Sequence, residues 1–220
     1  MESLLTRFFQ KYECLKSCET SIIQAFELLK NSYQQKGKLL ICGNGGSASD
    51  SDHIVGELMK GFMHTRPLAE KQQEAWENRF GASGQYLAQH LQGALPAISL
   101  ANQQALNTAF SNDVAADLIF AQQVYGYGNE QDVVLGISTS GNSRNVVYAL
   151  QTAQLLGIRT IALTGEAGGE MCHYSDAAIK VPAESTPAVQ ELHLPIYHLL
   201  CKLLEMYFFP CSSDNERMKS

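Results

Sequence analysis

Short apolar runs separated by longer amphipathic stretches set the rhythm of this 220-residue chain. Residues 38–42, Lys-Leu-Leu-Ile-Cys, are the first such run, and Gly43-Asn44-Gly45-Gly46-Ser47 ends it at once with residues that tolerate tight turns. Four further candidate strands follow at 96–100, 132–137, 159–163 and 177–181. Between them the apolar spacing changes to threes and fours, near 114–125 and 142–156, and 189–208 reads as a closing helix. Continuous apolar strands interleaved with helices indicate an α/β chain with a doubly wound parallel sheet.

Before the first strand, Leu5, Phe8, Phe9, Tyr12, Leu15, Ile22, Ile23, Phe26 and Leu29 keep a helical spacing over residues 2–35. That predicts one long helix with more apolar surface than a small domain needs, and so a helix shared with another subunit. Residues 69–93, rich in Glu, Gln and Lys around Trp76, Phe80, Tyr86 and Leu87, predict one or two amphipathic helices inserted between the first two strands. Gly81-Ala82-Ser83-Gly84 marks the break. Without internal repeats or low-complexity linkers, the chain reads as one domain over 1–210 with a mobile polar tail at 211–220.

Composition narrows the function. A chain with 45% hydrophobic and 17% charged residues can bury a substantial core. Its net charge of -6 and pI near 5.5 oppose nucleic-acid or membrane-surface binding, so an anionic ligand must be held by local groups. Six scattered cysteines without a C-x-x-C pair read as reduced thiols, and no signal-type or membrane-length apolar stretch is present, so a cytoplasmic protein is expected.

In a doubly wound sheet, ligands gather beyond the carboxyl ends of the strands. The first loop there, Gly43 to Ala48, fits G-x-G-x-x-A, but the next strand ends Leu100-Ala101-Asn102 without the acidic residue that holds a ribose. No Lys-Ser/Thr pair follows the glycines either, so no nucleotide cofactor is expected. The free N–H groups of the following helix, with Asn44 and Ser47, suit a phosphate instead. Further along that helix, His53 and Glu57 stand one turn apart, a base and an acid on one face. The second loop, Ser138-Thr139-Ser140-Gly141-Asn142-Ser143, places four hydroxyls and several turn amides at a helix start, a phosphate cup without lysine. A simple N-cap accounts for one serine but not the cluster. On the last helix Gln190 and His198, two turns apart, can face one site while His193 points elsewhere. His64, His90 and His173 read as structural or surface residues.

These features in this order resemble the sugar isomerase (SIS) domain family, and more closely its phosphoheptose isomerase branch: GNGGS at 43–47, the H-x-x-x-E of His53 and Glu57, Ser111-Asn112-Asp113, STSGNS at 138–143, and Gln190-Glu191 with His193 and His198. The resemblance implies a flavodoxin-like five-stranded sheet, a homotetramer and active sites where subunits meet, with His198 open to coming from a neighbour. It implies a small-molecule sugar phosphate as ligand: sedoheptulose 7-phosphate converted to D-glycero-D-manno-heptose 7-phosphate through an enediol. Ser138, Thr139, Ser140 and Ser143 would hold the phosphate; Asn44, Gly45, Gly46, Ser47, Asn112, Asp113 and Gln190 would line the site; Glu57 and His198 would be the acid/base pair. His53, Glu57, Gln190 and His198 match residues that hold Zn2+ in some members. The chain departs from the shorter members in its insertion at 69–93, in Ser185-Thr186-Pro187-Ala188-Val189 without an Asp, and in Gly61 where some have Arg. A related branch is a non-catalytic tetramer that associates with a DNA-replication initiator, and a sugar-phosphate sensor is a third reading. Both need no turnover, and the presence of Glu57 and His198 favours an enzyme.

Overall fold

Five apolar segments, Leu39–Gly43 (β1), Ala97–Ser99 (β2), Val133–Ser138 (β3), Arg159–Thr164 (β4) and Ala177–Lys180 (β5), pair in parallel in the order β2-β1-β3-β4-β5. The structure, a computed structural model, describes residues 2–210; the expected mobile tail lies outside them. Every residue of β1 and β3 is buried because both sheet faces are covered, which is why these strands read as unbroken apolar runs. Leu39 and Ile41 point to one face with Leu135 and Ile137; Leu40, Cys42 and Val134 point to the other.

The first face is covered by Glu19–Gln34 (α2), Gly46–Met59 (α3) and Thr186–Phe208 (α9), through Ile22, Phe26, Ile54, Leu58, Ile196, Leu200 and Leu203. The second is covered by Ile119–Tyr127 (α7) and Arg144–Leu155 (α8), through Phe120, Val124, Val146 and Leu150. Among the described residues, no helix is long and apolar enough to cross a membrane.

The single N-terminal helix expected over 2–35 is instead two. Glu2–Lys11 (α1) stops at Tyr12, whose φ of -121° and ψ of 65° are not helical, and a 3-10 segment Glu13–Cys18 leads into α2. The spacing survives because Leu15 and Cys18 turn inward, Cys18 Sγ donating to the Lys180 carbonyl at the end of β5 at 3.1 Å. The insertion forms Glu70–Phe80 (α4) and Ala82–His90 (α5), with the break at Gly81. Gln104–Phe110 (α6) has too few apolar positions to register as a periodic segment, and a π turn, Ser111–Ala115, and a 3-10 turn, Ala116–Leu118, occupy the first part of the expected 114–125 helix.

α3 and α9 run side by side, both antiparallel to the strands, and a buried ion pair locks their far ends. Arg66 and Glu205 are wholly buried, Nε donating to Oε1 at 2.8 Å. Arg66 also donates to the carbonyls of Leu58 at 2.8 Å and Glu57 at 3.1 Å, which the end of α3 leaves without helical partners. Glu205 in turn accepts from the Phe62 and Met63 amides, both at 2.7 Å. Each guanidinium nitrogen and both carboxylate oxygens therefore carry at least one hydrogen bond, the condition under which a buried pair is tolerated. Removing one partner leaves the other charge stranded. Arg66→Met is expected to lower stability by about 3–5 kcal/mol in urea denaturation, while Lys16→Met at the exposed Lys16–Glu19 pair changes it little.

Candidate active site

At the carboxyl ends of β1 and β3 the strand order reverses, and the two glycine-serine loops lie side by side, Gly43 being in register with Ile137. A reciprocal amide pair joins them: Asn44 and Asn145 each donate from Nδ2 to the other's Oδ1 at 2.9 Å. Asn145 had no distinguishing signal in the sequence, being one Asn of a helix start.

The second loop is held open as a turn. Gly141 has φ +68°, and a side chain there would collide with the Gly168 carbonyl, so the cup is braced from behind by the loop after β4. Gly165 N bonds the Thr139 carbonyl at 3.1 Å, and Met171 N bonds that of Gly141 at 2.9 Å. Within the cup the Ser138 and Ser143 hydroxyls lie 2.9 Å apart, and Ser140 Oγ accepts from the Asn142 amide at 3.2 Å. The Ser138 and Ser143 hydroxyls thus meet at the start of α8, where the helix end adds free N–H groups.

Beside the first loop, a side chain at Gly46 would meet the end of the Gln190 side chain, whose Nε2 lies against the start of α3 here. Asn112 and Asp113 bond to one another, Asn112 Nδ2 donating at 2.9 Å, on an exposed turn.

The second group lies down α3. His53 Nε2 is 3.0 Å from Glu57 Oε1 and 3.4 Å from His198 Nε2, all within one chain. One ligand atom of each residue lies within 4.8 Å of the other two. Glu57 is 14% exposed and His53 42%, so the cluster is open on one side. Burial, then the neighbouring His53, pushes the His198 imidazole below its ordinary value. Behind His53, the Tyr197 hydroxyl is 3.0 Å from Nδ1 and donates to Asp50 Oδ1 at 3.2 Å. Tyr197 and Asp50 escaped the sequence reading because a tyrosine and an aspartate on separate amphipathic helices look like core and surface.

Two imidazole nitrogens and a carboxylate oxygen are the donor types that Zn2+ takes, so His53, Glu57 and His198 fit the ion. Gln190 stands apart from them in the chain. It lies eight residues before His198, about 12 Å along one helix, and against α3 its Nε2 meets Gly46.

His193, expected to face elsewhere, is buried without hydrogen-bond partners for either ring nitrogen. Burial pushes its imidazole down to about 4, only the Thr164 backbone pulling the other way. His64 is structural: its Nε2 bonds the Phe209 carbonyl at 2.9 Å, and its Nδ1 lies 3.7 Å from Glu205.

The SIS domain family model matches residues 10–92 and 86–165 of this chain. Phosphoheptose isomerase of Helicobacter pylori (strain P12) is 39% identical over 194 residues, 88% of each chain, and that of Nitratiruptor sp. is 40% identical over 189 residues, 86% of this chain and 85% of the other. The solved phosphoheptose isomerase from Francisella tularensis superposes with a TM-score of 0.73 at 31% identity, covering 93% of this chain and 96% of that one. Its counterpart from Neisseria gonorrhoeae gives 0.69 at 29%, covering 93% and 97%.

A neutral buried histidine opposes acid stability, because the unfolded chain takes up the proton that the folded one refuses. His193 is expected to cost stability as pH falls from about 6.5 towards 4, by up to about 3 kcal/mol for a depression to about 4. Urea melts of His193→Leu should be flatter over that window than those of the parent.

Proposed function

The chain belongs to the SIS domain family, in its phosphoheptose isomerase branch, and we propose that it interconverts a ketose and an aldose phosphate at sites shared between copies of the chain. It is a phosphosugar isomerase, and the reading extends this to sedoheptulose 7-phosphate and D-glycero-D-manno-heptose 7-phosphate as the pair. The relatives named above carry isomerase names, so the non-catalytic platform and the sensor have no support from them.

The phosphate would sit among Ser138, Thr139, Ser140 and Ser143 at the start of α8, with Asn44, Gly45, Gly46, Ser47, Asn112, Asp113 and Gln190 towards the sugar. Glu57 and His198 would move the protons. In the ketose-to-aldose direction one group takes a proton from C1 as the C1–C2 double bond of the enediol forms, and an acid protonates O2. Return of a proton to C2, with loss of the proton on O1, completes the aldose. No outside oxidant or reductant enters. His53, Glu57 and His198 would hold a zinc ion, which when bound supplies Lewis-acid polarisation of the carbonyl.

The observation that carries the shared site is the separation of the two groups along α3. Glu57 lies eleven residues beyond Gly46, about 16 Å down the helix towards the amino ends of the strands, whereas the cup opens at the carboxyl ends. Gln190 lies against Gly46 of the first loop and His198 lies with Glu57, which fits a homotetramer in which the cup of one copy faces the His53–Glu57–His198 cluster of the next.

Glu57→Gln and His198→Ala should each lower kcat on sedoheptulose 7-phosphate by about 10²–10⁴-fold, as loss of a general acid or base does. Turnover untouched by either change removes this assignment. Co-refolding Glu57→Gln with the cup variant Ser138→Ala/Ser143→Ala, each inactive alone, should restore activity by rebuilding intact sites between unlike copies. No recovery from two folded variants sinks the shared site. Metal analysis of the purified protein should find about one zinc per chain, lost in His53→Ala.

A further inference from the structure

We infer that Tyr197 and Asp50 are positioning residues that hold neutral His53 as its Nδ1–H tautomer, aiming the Nε2 lone pair at Glu57 and His198. With Asp50 ionised, the two partners of the Tyr197 hydroxyl set the choice. The Tyr197 hydroxyl has one proton and two neighbours, Asp50 Oδ1 at 3.2 Å and His53 Nδ1 at 3.0 Å. An ionised Asp50 can only accept, and its other oxygen, Oδ2, is buried without a partner, so the carboxylate holds no second donor to replace the hydroxyl. Tyr197 therefore donates to Asp50, and its oxygen is left to accept from His53 Nδ1–H.

The consequence appears on the other side of the ring. With the proton on Nδ1, Nε2 presents a lone pair 3.0 Å from a carboxylate oxygen and 3.4 Å from a second imidazole nitrogen. The lone pairs of His53 Nε2 and Glu57 Oε1 then face one another and repel unless a cation, or a proton such as one on His198 Nε2, lies between them. Left to itself, His53 would relieve this by moving its proton to Nε2 and donating to Glu57, which would tie up the carboxylate and close the cluster. The Asp50–Tyr197 pair opposes that relaxation, and it can do so because Tyr197 is only 2% exposed and cannot swing away to water. In effect the fold keeps the cluster ready for a divalent cation or a transferable proton.

The inference deepens the isomerase reading and rests on it only for its kinetic arm. The test uses the full chain labelled with 15N, after chelator treatment, at a pH where His53 is neutral. Its ring nitrogens should show Nδ1–H in the parent and shift towards Nε2–H in Tyr197→Phe, which keeps the packed ring and loses only the hydroxyl. Asp50→Asn, whose amide can donate as well as accept, should release the same preference and serves if Tyr197→Phe folds poorly. Zn2+ affinity, read by competition with a chromophoric chelator, should weaken by about 10–100-fold in either variant while thermal melting stays near the parent's. With sedoheptulose 7-phosphate, kcat should fall and KM hold. An Nε2–H tautomer in the parent overturns the inference, as does a parent-like tautomer and Zn2+ affinity in both variants. The NMR arm needs no substrate, so a parent that does not turn over the sugar phosphate removes the isomerase reading and leaves the tautomer to decide this one.

Discussion

The Arg66–Glu205 pair is the constraint on which the rest of the site depends. It joins the end of α3 to α9 in a region from which water is excluded, and it does so through the carbonyl of Glu57 itself. Glu205 lies seven residues after His198, two helical turns, so the clamp acts on the same side of α9 that carries the imidazole. Two helices packed only by Ile54, Leu58, Ile196 and Leu200 could slide by a fraction of a turn at small cost, since apolar contact is not directional. A buried pair of charges whose guanidinium nitrogens and carboxylate oxygens each carry a hydrogen bond has few good geometries. The approach of Glu57 to His198 inherits that geometry.

At the other end of the same two helices the constraint is steric. Gly46 allows Gln190 to lie against the start of α3, and the loop after β4 supports the cup through Gly141. The helices thus bring together two different groups at their two ends, glycine and hydroxyl loops near the carboxyl ends of the strands and the His53–Glu57–His198 cluster nearer the amino ends. A fold of this kind binds ligands where strand order reverses, and the cup obeys that rule. The acid/base cluster does not, which is why a neighbouring copy enters the functional reading.

Much of this was legible from residues. All five strands and the helix break at Gly81 follow from apolar runs and turn residues, because a parallel sheet covered on both faces leaves no ambiguity of period. The hydroxyl cup and the one-turn spacing of His53 and Glu57 are local, and local spacing on a helix survives folding. The N-terminal helix misled because two helices joined by a short 3-10 segment that turns Leu15 and Cys18 inward can keep one apolar period through a change of direction. α6 was missed for want of apolar positions. Gln190 and His198 share a helix face, but a face does not specify distance, and in the structure Gln190 meets Gly46 while His198 meets His53.

By itself, the order of residues determined the fold class, the glycine-serine loops at the strand ends and the identity of the titratable groups, since each depends on neighbours within a few positions or on a repeated period. Which of those groups meet was decided only in three dimensions. His53 with His198, Tyr197 with Asp50, Asn44 with Asn145 and Arg66 with Glu205 are each separated by at least a hundred residues. Nothing in a linear pattern records a distance set by the packing of one helix on another.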